Sequence, residues 1–245
     1  MRSRLLLAAA MCSVAMNAAF VVRLLIRHRE AQVLPVRPDY MTPDAVDSRI
    51  FAERSARFAS LKPAPADVLF VGDSIAAAIV SDLEDREREG DLPLRWNGLS
   101  VHGRCVPSIT TTGLVSILPM AESLKARIIF IWCGTNDLGM KRPLDQVATT
   151  YDGIVFELQK TCPNSRIIIL SLLPIRFNDD WNAKTKEFNA ALARIANAHK
   201  LQFVDLSADV SDSSGRLDES ITQDGVHPMA SGLFKIEKHL ASVLP

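Results

Sequence analysis

Cysteine is scarce in this chain and badly spaced for metal. The four thiols, Cys12, Cys105, Cys133 and Cys162, form no CxxC pair and join no histidine at zinc spacing. That excludes a zinc ribbon or finger and a disulfide scaffold. Free thiols, or one bridge among the last three, stay open. An excess of one charge is also missing. Lys and Arg total 28, as do Asp and Glu, for a net charge of +0. No basic run alternates with aromatic residues, which argues against a nucleic-acid binder. No internal repeat or low-complexity tract appears, so repeat and tail-like architectures drop out. Long apolar runs are absent but for one.

That run lies at the N-terminus. Between Arg2/Arg4 and Arg23/Arg27/Arg29, Leu5 to Val22 are apolar apart from Ser13 and Asn17. Eighteen helical residues reach about 27 Å, close to a bilayer core. The run is long for a signal-peptide core and no A-x-A site precedes a mature start. Residues 1–30 therefore read as an uncleaved signal anchor, with a cleaved signal peptide, giving a secreted form, as the alternative. Positive charge flanks both ends, so orientation is not set by charge. Signal-anchor logic puts the remaining domain outside the cytoplasm. Pro35, Pro38 and Pro43 mark a linker over 31–43. Thr42-Pro43-Asp44 then starts an amphipathic helix over about 44–61.

With 48% hydrophobic residues, the rest has enough apolar material for one domain, 44–245. Short apolar runs recur: DVLFVG (67–72), LRWNGL (94–99), RIIFIWCG (127–134), RIIILSLLP (166–174) and LQFVDLS (201–207). Three are continuous and rich in Ile and Val, as expected of parallel strands covered on both faces. LRWNGL is the weak one and reads as an edge strand. Helical periodicity occupies 75–89, 107–124, 143–161, 180–198 and 228–243. Alternation of this kind predicts an α/β fold, a flavodoxin-like three-layer sandwich on a five-stranded parallel sheet of order 2-1-3-4-5. Ligands of such sheets bind beyond the carboxyl ends of the strands.

Four of those ends carry polar signals. They are Gly72-Asp73-Ser74, the stretch NGLSVHGRC (97–105), Gly134-Thr135-Asn136-Asp137, and QDGVHPMASG (223–232). A serine hydroxyl needs a base to become a nucleophile. Histidine suits neutral pH, and its second nitrogen needs a carboxylate to fix the tautomer. Ser74, His227 and Asp224 supply that set. The oxyanion that forms needs donors in place, for which Gly103, Asn136 and the Ser74 amide are candidates, with Gly98 competing for the Gly103 role. Helix capping is the plainer reading of Ser74. Asp137 reads as a brace for its loop, Arg176 as a surface ion pair, and His102 as surface or substrate contact. The tryptophans Trp96, Trp132 and Trp181 read as packing.

The ordered set GDS, a glycine after the second strand, GTND and DGVHP resembles the SGNH (GDSL-type) hydrolase superfamily, over roughly residues 44–243. The resemblance implies a flavodoxin-like esterase, lipase or acyl hydrolase without metal or organic cofactor. It implies Ser74 as nucleophile, Asp224 and His227 as its partners, and Gly103 with Asn136 as the oxyanion hole. The block reads GDSI here rather than GDSL. No G-x-S-x-G elbow is present. No large apolar insertion separates the blocks, so short acyl groups are favoured, O-acetyl on a carbohydrate first. The expected partners are an ester substrate, on a glycan or lipid, and the membrane through the anchor. Alternatives are a lysophospholipase or thioesterase, an acyltransferase on envelope glycans, and a non-catalytic glycan-binding module.

Overall fold

Five-residue runs of β-branched and aromatic side chains make the centre of this molecule. In the computed structural model, residues 66–87 and 95–245 are described, with 52–54, 56 and 58 in a helical stretch before them. The anchor read at 1–30 and the linker at 31–43 lie outside the described residues. Among the described residues, no helix is long and apolar enough to cross a membrane.

Strand β1 (Val68–Gly72) and strand β4 (Ile128–Trp132) are buried along their whole length. Between them in the chain come β2 (Arg95–Trp96) and β3 (Leu99–Cys105), and after them β5 (Arg166–Leu170) and β6 (Gln202–Val204). The sheet order is β2-β3-β1-β4-β5-β6. All neighbours pair in parallel except β2 with β3. The five parallel strands thus follow the expected 2-1-3-4-5 order. β1 is central, with Val68 opposite Val101 on one side and Ile128 on the other.

The second parallel strand is not the one expected. LRWNGL contributes only the two-residue β2, which folds back antiparallel on β3 through Asn97 and Gly98, at φ 50° and 81°. Positive φ at both central residues is the hairpin geometry that Asn-Gly favours. The strand that joins the parallel sheet is β3, in place of the expected 94–99.

Strands buried on both faces need cover on both. Helix α1 (Ser74–Glu87) follows β1. A broken helical stretch follows β3: α2 (Thr111–Leu114), a 3₁₀ turn (Val115–Ile117) and α3 (Leu118–Glu122). Then come α4 (Thr135–Gly139), α5 (Leu144–Thr161), α6 (Asp179–Ala198), α7 (Ser207–Val210) and α8 (Ala230–Ser242). α1 packs beside α8, and α5 beside α6. Within the core, the rings of Phe70 and Phe130 stack at 4.9 Å across β1 and β4. Tyr151 of α5 meets Phe188 of α6 edge-on at 6.2 Å. Cys105, Cys133 and Cys162 are buried free thiols.

Candidate active site

The carboxyl end of β1 delivers Gly72, Asp73 and Ser74 straight into α1. Ser74 is the first residue of that helix and is half-buried. Its Oγ lies 2.8 Å from Nε2 of His227, a residue 153 positions later in the chain. The other ring nitrogen, Nδ1, lies 2.6 Å from Oδ2 of Asp224. Asp224 can only accept when ionised, so Nδ1 carries the proton and Nε2 is left to accept from the serine hydroxyl. Desolvation pushes Asp224 up. Hydrogen bonds from the His227 amide and ring and from the Val226 amide outweigh it, and its carboxyl ends at about 2. It therefore stays charged beside the imidazole across the neutral range.

The loop that holds this pair is built from its own atoms. Oδ1 of Asp224 accepts from the amides of Val226 at 2.9 Å and His227 at 2.8 Å. The Thr222 hydroxyl donates to the His227 carbonyl at 2.9 Å and accepts from the Gly225 amide at 2.9 Å. Gly225 sits at φ +74°, in the left-handed region. The ring of Phe177 occupies the space that a Cβ there would need, so a side chain at this position would strain the backbone and displace the ring.

Asn136, on the short α4 after β4, faces the loop after β3. Its Nδ2 donates to the Ile109 carbonyl at 2.9 Å, which uses one of its two N–H bonds. Next to it, Asp137 is fully buried and accepts from the Thr111 amide (2.8 Å), the Thr111 hydroxyl (3.0 Å) and Arg142 (3.1 Å). Burial raises its pKa, while Arg142 and Thr111 pull it down. This is the brace that the sequence suggested.

Gly103 does not reach this end of the sheet. It lies inside β3 opposite Phe70, beneath the side chain of Val80, two residues before the strand ends. Gly98 is farther off, in the hairpin turn at the opposite end of β3. The residue that the turn after β3 presents is Ser108. The Val106 amide donates to the Gly72 carbonyl at 3.0 Å, and the Ile109 amide closes a turn on the Val106 carbonyl at 3.2 Å. Pro107 and Ser108 are its central residues, and Ser108 is exposed at φ +63°. Proline followed by positive φ defines a type II turn. The signal in the sequence was Pro107-Ser108 ahead of Thr110, whose hydroxyl caps α2.

His102 is half-buried within β3, opposite Leu69. Arg176 pairs with Asp212 at 3.1 Å and with Glu219, the ion pairing expected of it. Trp96 and Trp132 are buried. Among the described residues, no group of three or more His, Cys, Asp or Glu is arranged to hold a metal ion.

A hydroxyl, an imidazole and a carboxylate in line at a strand's carboxyl end define a hydrolase site that can work through the serine. The chain belongs to the GDSL-like Lipase/Acylhydrolase family, whose pattern it matches over residues 70–233. It is a serine hydrolase acting on esters. Subunit alpha2 of platelet-activating factor acetylhydrolase IB from Gallus gallus is 27% identical over 209 residues, covering 81% of this chain and 84% of that protein. A GDSL-like lipase from Bacteroides thetaiotaomicron shares the fold at a TM-score of 0.66 and 22% identity, covering 79% of this chain and 96% of its own. An acetylxylan esterase from Geobacillus stearothermophilus does so at 0.56 and 19%, covering 74% and 94%.

Proposed function

We propose that this enzyme cleaves short-chain O-acyl esters, O-acetyl first, through an acyl-enzyme on Ser74. Oγ of Ser74 attacks the ester carbonyl carbon as Nε2 of His227 takes its proton. Asp224 holds the ring and balances the imidazolium. The carbonyl oxygen, now negative, is met by the second N–H of Asn136, the amide of Ser74 and the amide of Ser108. Ser108 replaces Gly103 in this role because a type II turn aims the amide of its third residue outward, and this turn is tied to Gly72 on one side and Asn136 on the other. The C–O bond to the alcohol then breaks and His227 returns the proton to the leaving oxygen. Water, deprotonated by His227, releases the acid and restores Ser74.

The observation that carries this reading is the Ser74–His227–Asp224 line at 2.8 Å and 2.6 Å. The acetylhydrolase name of the 27%-identical relative supports a small acyl group. The apolar segment before residue 31 supports a membrane-attached enzyme whose domain lies outside the cytoplasm, where acylated envelope glycans would be its substrates. Fluorophosphonate labelling tests the mechanism. Wild type labels, and Ser74→Ala and His227→Ala do not. Undiminished labelling of Ser74→Ala, or none of folded wild type, would refute it.

A further inference from the structure

Phe177 is the most exposed of the large apolar side chains among the described residues, at 70%. It stands in the loop after β5, which meets the loop of Asp224 and His227. The Arg176 amide donates to the Gly225 carbonyl at 2.8 Å. The Phe177 ring lies on Gly225, which is buried under it. Both flanks are fixed. Arg176 is held by Asp212 at 3.1 Å and by the Leu217 carbonyl at 3.2 Å, and Asn178 caps α6 by accepting from the Trp181 amide at 2.9 Å. The backbone on both sides of the ring is thus held, and most of the ring's surface is left in water. A ring gains stability by burial. One left exposed against the loop of Asp224 and His227 is open to contact by a ligand bound there.

The chemistry says which part of the ligand. This step rests on the esterase reading above. The carbonyl carbon must lie at Ser74 Oγ, with its oxygen toward Asn136 and Ser108. The alcohol oxygen must lie within reach of His227 Nε2, which protonates it. The alcohol therefore leaves on the histidine side, and Phe177 lies against the peptide two residues before that histidine. We infer that Phe177 is a specificity residue for the alcohol half of the ester, a platform for an alcohol with a flat carbon face, such as an aryl ring or the apolar face of a sugar.

The test compares acetate esters that share an acyl group and differ in the alcohol. The full chain is assayed with phenyl acetate, an acetylated methyl glycoside and methyl acetate. The readout is kcat/KM, which reports steps up to acylation, each value taken relative to methyl acetate. Phe177→Ala is expected to lower the ratio about tenfold for phenyl acetate, the glycoside or both, the magnitude of one aromatic contact. The ester with the larger fall identifies the alcohol. Phe177→Tyr, which keeps the ring, restores the ratio. A misplaced catalytic loop would lower all three esters in proportion. Unchanged ratios in Phe177→Ala would therefore overturn the proposal and leave the esterase reading standing. Loss of the phenyl or glycoside preference in Phe177→Tyr as well would overturn it too. Absence of Ser74-dependent hydrolysis in wild type would overturn both.

Discussion

Asp73 precedes the reactive serine and has no exposed surface. Its Oδ1 accepts from the Ile75 amide at 3.0 Å, while Oδ2 has no hydrogen-bond partner. The groups around it come from every neighbouring element: Cys105 on β3, Cys133 after β4, Asp137 on α4, Tyr151 on α5 and His227 on its loop. Burial drives its pKa from 3.8 to about 7, against the pull of the Ile75 amide and His227 and with a push from Asp137. Between those values the folded protein holds a proton that the unfolded chain has given up. Stability therefore falls as pH rises through this window, and the loss is complete above about pH 7. The size is on the order of 4 kcal/mol. Asp73→Asn removes this dependence. The amide oxygen still accepts from Ile75, and the new NH₂ adds a cost that does not vary with pH. Asp137 contributes a fall of the same sign. Asp224 contributes stability that is lost only as pH drops toward its value of about 2. Asp224 acts alike in the two proteins, while loss of the Asp73 charge also relieves Asp137 of a like-charge neighbour, which adds to the variant's gain as pH rises. Urea unfolding of wild type and Asp73→Asn from pH 4 to 8 should show the variant gaining on wild type by several kcal/mol. Parallel stability curves would refute the reasoning.

Asn136→Ala removes an oxyanion donor and should lower kcat for phenyl acetate by about 10²–10³ with little change in KM. An equal loss in KM alone would assign the residue to ground-state binding. Gly225→Ala places a Cβ into the Phe177 ring and strains a left-handed backbone by roughly 1 kcal/mol. Activity should fall, and Gly225→Ala combined with Phe177→Ala should recover the part due to the ring. Strict additivity of the two in kcat/KM would show that the contact does not matter.

The parallel sheet was legible because its strands are apolar without interruption. Ile128–Trp132 and Ile167–Leu170 are covered on both faces, and such runs have few other readings. Ser74, Asp224 and His227 were legible because each follows a strand on the same edge. The second strand was not. LSVHGRC mixes a histidine and an arginine with small residues, because β3 has the hairpin rather than a second parallel neighbour on its outer side. Asn97-Gly98 was the sign of that hairpin. The parallel strand runs on to Cys105 instead of ending at Leu99, so Gly103 falls inside it and away from the turn that carries Ser108. The helix expected over 107–124 starts only at Thr111, because Pro107-Ser108 makes a turn, and it breaks at the 3₁₀ turn that precedes Pro119. Phe177 gave no signal at all. Its place depends on which loops meet, and Arg176 and Gly225 lie far apart in the chain.

The separation of 153 positions between the serine and its imidazole has a consequence for the newly made protein. The last strand of the sheet ends at Val204, and His227 leaves the ribosome after it. A partly synthesised chain can assemble every strand and still carry an ordinary alcohol at position 74. The hydroxyl meets its base only when the final loop docks. An enzyme ordered in this way cannot attack the esters around it while it is still being made.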